Sequence, residues 1–212
     1  MKMREKYFNL ISEIVNFTIQ NFLQSNPESN EVYICDLSKC VYNVYLTKLY
    51  GKNNYERILI GTFGHLLFEK YLKNYIPKSD YEIKIEHDVY FNYGNYFIKG
   101  KIDILIVDFE NFVSIPIEVK FTRFEKPHIW YVNQLQLYMH ALGSKFGYLL
   151  YINPNNLNYK LFEFEYDYNI VRDRLLKIEE LVKAYKGIEP QREFLGCNAC
   201  SFKKICFQSK LF

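Results

Sequence analysis

Alanine is nearly missing from this sequence: Ala141, Ala184 and Ala199 are the three in a chain of 212 residues. Tyr, Phe, Asn, Lys and Ile are plentiful instead, with 20 Tyr and 18 Phe, a balance that codon usage in an AT-rich genome explains. The aromatics are scattered along the whole chain, which argues against a dedicated base-stacking surface. There is no uncharged run near the roughly 20 residues needed to cross a bilayer, which excludes a transmembrane helix. Charge of one sign is also scarce. The net charge of +3 is too small to imply nucleic-acid binding by itself. Internal repeats and low-complexity segments are absent. Five cysteines are an odd count, which argues against a closed disulfide framework.

What is present supports one domain, since a chain of this length buries most of its apolar surface on folding. Lys2, Arg4 and Lys6 give a basic start, but polar Asn9, Ser12, Glu13 and Asn16 recur at regular intervals after it. That segment reads as an amphipathic helix over 4–24 and not as a signal peptide. The chain is therefore expected to be a soluble cytoplasmic protein with no membrane partner. Turn residues at 25–30 end this helix. A second helix is expected from an Asp36 N-cap through Cys40 to about Leu49. A third is expected over 62–75, with Phe63, Leu66, Leu67 and Leu72 on one side. From Tyr81 the pattern turns to strands at 82–91, 96–108 and 112–121, the first two joined at Asn92-Tyr93-Gly94-Asn95. Pro127 is expected to open a helix to Leu142. Strands at 146–152 and 158–165 and a long helix over 168–186 complete an α/β architecture, a central mixed sheet flanked by helices. Residues 1–57 form an N-terminal helical segment, 58–190 the core, and 191–212 a cysteine-rich C-terminal tail.

The chemistry concentrates in Ile115-Pro116-Ile117-Glu118-Val119-Lys120-Phe121. Side chains alternate along a strand, so Glu118 and Lys120 share one face between apolar neighbours. Burying both costs free energy unless they serve a purpose; alone, Glu-x-Lys reads equally well as a surface ion pair. The preceding strand holds one carboxylate, Asp103, in its apolar half. A short connection makes the two strands antiparallel neighbours, so Asp103 and Glu118 meet on one face. Two carboxylates brought together repel unless a cation sits between them, and hard oxygen ligands suit Mg²⁺ or Mn²⁺. Gly100 permits a close approach, read as room for a ligand. On the helices, His65 and Glu69 share a face, as do Gln134 and Tyr138. Pro116 is awkward in a central strand.

Gly61-x3-His65, Gly100-x2-Asp103, Ile117-Glu118-Val119-Lys120 and Gln134-x3-Tyr138, in that order, resemble the RecB-like branch of the restriction-endonuclease-like PD-(D/E)XK nucleases. Cys40 upstream and Cys197-x2-Cys200-x5-Cys206 at the end are similar to the cysteines of CRISPR-associated RecB-like exonucleases and of iron–sulfur helicase–nucleases. The resemblance spans about 35–206. It suggests an origin in a thermophilic archaeon or an archaeal virus, in which case the compartment is the host cytoplasm. It implies a restriction-endonuclease-like core acting as a metal-dependent DNA nuclease. His65, Asp103, Glu118 and the carbonyl of Val119 would hold Mg²⁺ or Mn²⁺; Asp103, Glu118 and Lys120 would be catalytic. Gln134 and Tyr138 would position DNA, and Arg123, Lys126 and Lys101 would contact phosphates. Cys40, Cys197, Cys200 and Cys206 would bind a [4Fe–4S] cluster, with zinc or disulfides (Cys35 with Cys40, Cys197 with Cys206) as alternatives and Cys35 left without a role. Two other readings stay open. One is a Holliday-junction-resolvase-like endonuclease acting as a homodimer; the other is a non-catalytic DNA-binding subunit of a CRISPR adaptation or repair complex.

Overall fold

The computed structural model describes residues 30–51, 55–72 and 81–208; the helix expected over 4–24 lies outside them. In chain order the elements are β1 (Glu31–Tyr33), α1 (Ile34–Leu37), α2 (Val41–Tyr50), α3 (Tyr55–Leu72), β2 (Tyr81–Tyr93), β3 (Tyr96–Asp108) and β4 (Val113–Phe121). Next come α4 (Ile129–Leu142), β5 (Phe146–Ile152), β6 (Tyr159–Glu165), α5 (Tyr168–Leu175), α6 (Ile178–Tyr185), a 3₁₀ turn at Cys197–Ala199 and α7 (Lys203–Gln208). The mixed sheet runs β1-β3-β4-β5-β6, with β2 also on β3. This is the α/β sandwich that the alternation of strand and helix patterns implies.

The longest strand, β3, governs the layout. Apart from Asp103, its length pairs antiparallel with β2 along one edge. Its other edge is shared: β1 pairs parallel with Phe97–Lys99, and β4 pairs antiparallel with Ile104–Asp108. Residues 100–103 therefore face a fork where β1 has ended and β4 has not begun to pair. Gly100 and Asp103 both lie in it. Beyond β4, β5 is parallel from Ile117↔Tyr148 to Phe121↔Ile152, and β6 closes the sheet antiparallel.

Apolar residues of β3 and β4 bury both faces. On one, Ile98, Ile102 and Leu105 pack with Leu137 and Tyr138 of α4, Val171 and Leu175 of α5, and Ile178, Leu181 and Ala184 of α6. On the other, Ile104, Ile106, Ile117, Val119 and Phe121 meet Phe68 and Leu72 of α3. Phe63, Leu66 and Leu67 are exposed. Pro116 fits because pairing with β5 starts one residue later, and Gly147 leaves room beside it.

Three helix boundaries differ from expectation for identifiable reasons. The helix expected from Asp36 to Leu49 is split, with Cys40 extended as the N-cap of α2 and residues 37–39 held by side chains from other elements. Helix α4 starts after Pro127, at Ile129, because the His128 ring accepts the Trp130 N–H and takes the capping position. The segment 168–186 breaks at Leu176–Lys177, where Lys177 has φ −93° and ψ 0°. The break lets Val171 and Leu175 face the same core as Ile178 and Leu181.

Candidate active site

The fork in β3 gathers the chemistry. Asp103 stands one pair beyond Ile104↔Ile117, opposite Glu118. Its Oδ2 accepts the Val119 N–H at 2.7 Å, so a side chain continues the ladder where the backbone has parted. His65 Nδ1 of α3 lies 3.6 Å from Asp103 Oδ1, and its ring faces the Val119 carbonyl. Gly64 allows this approach: a Cβ there would come within 2.6 Å of the Phe121 ring, whereas Gly61 has nothing within 4 Å. The His65 and Phe121 rings meet edge to face at 5.6 Å.

Glu118 is 1% exposed. The Lys120 ammonium binds its Oε1 and also lies 5.0 Å over the Tyr131 ring. Burial and the neighbouring Asp103 carboxylate push the Glu118 pKa well above the usual carboxylate range, with Lys120 opposing. Its other oxygen, Oε2, is buried and has no hydrogen-bond partner among the described residues. Burial also lowers the His65 pKa, against the pull of Asp103. Its imidazole is then neutral near pH 7, the form that ligates metals. Burial would depress Lys120, but Glu118 and Asp103 outweigh it and hold it charged.

The four residues assigned to a cation thus converge from α3, β3 and β4. As the side chains stand, no three His, Cys, Asp or Glu groups among the described residues close around a common metal position. The Lys120 ammonium balances Glu118 instead. The unpartnered Glu118 Oε2, the neutral imidazole and the paired carboxylates fit a hard divalent cation.

Gln134 and Tyr138 are 9% and 2% exposed and are engaged with protein. Gln134 Nε2 donates to the Tyr138 hydroxyl at 2.9 Å, which donates to the Lys101 carbonyl at 2.7 Å. That bond supplies a partner to β3 inside the fork. Gly100 is required here for another reason than a ligand: a Cβ would meet Tyr138 Cε1 at 2.9 Å and Ile34 at 3.0 Å. Lys101 lies 3.9 Å from Glu86, and Arg123 donates to Asn155 at 3.0 Å. Glu86, across from Asp103 on β2, has φ +51°, unusual for a residue with a side chain.

Sequence reasoning missed the segment that leaves β1. Because β1 pairs Tyr33 with Lys99, α1 begins beside Gly100. Cys35 is open to solvent yet crowded by protein, close enough to Lys120 and Glu118 to feel their charges. Lys39 lies in the same field as Lys120 and binds Asp36 Oδ1 at 3.0 Å. A three-residue strand ahead of a four-residue helix has too little periodicity to be visible in sequence.

Four of the cysteines make up a second candidate site. Cys40, Cys197, Cys200 and Cys206 line one cavity with Tyr42, Asn43 and Leu195. No disulfide joins any of the five cysteines, so neither pairing is formed. Cys40 is buried, which raises its pKa to about 11, and the Asn43 amide donates to Cys200 Sγ at 3.3 Å. Four thiols around one cavity suit a metal cluster or zinc in their donor chemistry.

No family model matches the chain. It is 26% identical over 195 residues to the CRISPR-associated exonuclease Cas4 of Saccharolobus solfataricus, covering 89% of this chain and 93% of that protein. The crystal structure of SSO0001 matches with a TM-score of 0.70 at 25% identity, over 96% of this chain and 98% of the other. A protein of Eubacterium rectale assigned as an exonuclease, 10% identical, shares the fold with a TM-score of 0.51 over 88% of this chain and 91% of that one. The resemblance drawn from the motifs is thus matched along nearly the whole chain and in the fold. Among the described residues no helix is long and apolar enough to cross a membrane.

Proposed function

We propose that this chain is a DNA nuclease that hydrolyses phosphodiester bonds with Mg²⁺ or Mn²⁺ held by His65, Asp103, Glu118 and the Val119 carbonyl. The observation that carries this reading is the fully buried Glu118, with one unpartnered oxygen, set against Asp103 in the fork of β3. A structural ion pair would leave neither the orphan oxygen nor two carboxylates in contact. The similarity to an exonuclease supports the same reading.

A divalent cation bound there supplies Lewis acidity and lowers the pKa of water. The protein's own part is positioning and charge. Asp103 is fixed by the Val119 N–H, so its second oxygen stays turned toward His65. Lys120, held charged beside Glu118, would stabilise charge developing on the phosphate. Gln134 and Tyr138 act on DNA through β3, by holding the Lys101 carbonyl in the fork. Arg123, Lys126 and Lys101 supply charge to the flanking phosphates.

The cysteine site is proposed to hold a [4Fe–4S] cluster on Cys40, Cys197, Cys200 and Cys206, tying residue 40 to the C-terminal segment as a structural element. Iron and acid-labile sulfide per chain, measured beside zinc in anaerobically purified protein and Cys197→Ser, decide between cluster and zinc.

Cleavage of labelled single-stranded, duplex and four-way-junction DNA with Mg²⁺, Mn²⁺ or EDTA tests the activity. We expect metal-dependent release of nucleotides from ends. Paired cuts at the junction by a homodimer would favour a resolvase. Binding without cleavage under every metal would favour a non-catalytic subunit of a CRISPR adaptation or repair complex.

A further inference from the structure

Segment 37–41 is fastened more heavily than a connection between two short helices requires. Arg174 of α5 donates from Nε to the Leu37 carbonyl at 2.8 Å and from Nη2 to the Lys39 carbonyl at 2.6 Å. Asn133 of α4 donates to the Ser38 carbonyl at 3.1 Å. Glu193 accepts the Val41 N–H at 2.5 Å and pairs with Arg174, while the Cys40 thiol donates to the Glu193 carbonyl at 3.4 Å. Three successive carbonyls and the next free N–H are thus held by side chains from α4, α5 and the C-terminal segment. Such a segment is fixed in place.

It fixes Lys39. The side chain is 35% exposed and its ammonium binds Asp36 Oδ1 at 3.0 Å. Asp36 is itself held, its other oxygen accepting from the Tyr185 hydroxyl at 3.2 Å. An ammonium has three donors, and the Asp36 contact uses one. Residue 35, four positions earlier, already lies within the field of Lys120 and Glu118, and Ile34 lies on Gly100, three residues from Asp103. The segment that carries Lys39 packs through Ile34 and Leu37 on the sheet face that carries α4, whereas His65 comes from the α3 face. Lys120 is committed to Glu118, whereas Lys39 lies within the field of Lys120 and keeps donors to spare.

We infer that Lys39 is a further substrate contact of this site, receiving a backbone phosphate of the nucleic-acid strand, with the Arg174–Asn133–Glu193 clamp holding it in reach. The inference rests on the nuclease reading and names one phosphate contact within it. The clamp also makes residue 40, a cysteine of the second candidate site, the immediate neighbour of this contact, so the two sites share one rigid segment.

The test compares wild type, Lys39→Gln and Lys39→Arg in two assays: steady-state cleavage of labelled single-stranded and duplex DNA with Mn²⁺, and the salt dependence of DNA binding in EDTA. One lost phosphate contact raises KM about tenfold with kcat within about twofold. It lowers the slope of log affinity against log salt by roughly 0.7 for single strands and 0.9 for duplex. Lys39→Arg restores both. If wild type cleaves and Lys39→Gln keeps the wild-type KM and slope, or loses kcat alone, Lys39 is no phosphate contact and the nuclease reading survives. If wild type neither cleaves nor binds DNA under any metal, the nuclease reading falls and the inference with it. Lys39 is partly exposed, so a wild-type melting temperature for Lys39→Gln checks that the fold is kept.

Discussion

Replacing Arg174 by Met tests the clamp on segment 37–41. The guanidinium is 7% exposed on its side chain and the Glu193 carboxylate 13%. It makes four hydrogen bonds: two to Glu193 and one each to the carbonyls of Leu37 and Lys39. Methionine fills similar volume but leaves a nearly buried carboxylate without its counter-charge and two carbonyls without donors. Breaking one side of such a pair costs about 3–5 kcal/mol. For a chain of this size each kcal/mol shifts the melting temperature by about 2–4 °C, so the midpoint should fall by about 6–20 °C. Glu193→Gln in the same background removes the orphaned charge and should recover part of the loss, with a coupling of about 0.5–3 kcal/mol. Denaturant unfolding of the four proteins measures it. A single variant within about 1 kcal/mol of wild type, or strict additivity, would show that the clamp does not hold segment 37–41.

The same geometry sets three further outcomes. Gly100→Ala places a methyl 2.9 Å from Tyr138 Cε1 and 3.0 Å from Ile34; it should cost about 1–3 kcal/mol and reduce cleavage, while an unchanged melting curve would refute the close packing. Gly61→Ala, with nothing within 4 Å, should instead stabilise the helix by about 0.5–1 kcal/mol, and a destabilised protein would refute that. The raised Glu118 pKa, caused first by burial and then by Asp103, means that its folded form holds a proton its unfolded form has released. Its contribution to stability is therefore present below the usual carboxylate pKa and is lost as pH rises through the folded value. Cation binding needs the carboxylate, so Mn²⁺ affinity should rise by up to about tenfold per pH unit across that window and then level off. Calorimetric titration at several pH values checks this, and a flat profile would contradict it.

The sheet was legible in sequence because β2 to β6 lie between turn signals, and the short connection between β3 and β4 fixed the register that sets Asp103 against Glu118. Helices were legible in kind but less so at their ends. Asp36 looks like an N-cap, yet Cys40 takes that position because Arg174 and Asn133, far away in sequence, hold the carbonyls between. The motif residues were read for the right neighbourhood, but two causes were not visible. Gly100 is needed for Tyr138 and Ile34, and Gly64, not Gly61, brings α3 onto Phe121. The fork itself depends on β1, three residues pairing parallel with a strand more than 60 positions away. Local periodicity cannot announce such a contact, and with it Cys35, Asp36 and Lys39 stayed hidden.

The most direct test of the central claim compares Asp103→Ala and Glu118→Ala with wild type, measuring Mn²⁺-dependent cleavage and DNA affinity on the same labelled substrate. The account predicts that both variants lose cleavage and keep DNA binding, because the carboxylates serve the cation and not the strand. Cleavage that persists in either variant, or cleavage and binding lost together, would contradict it.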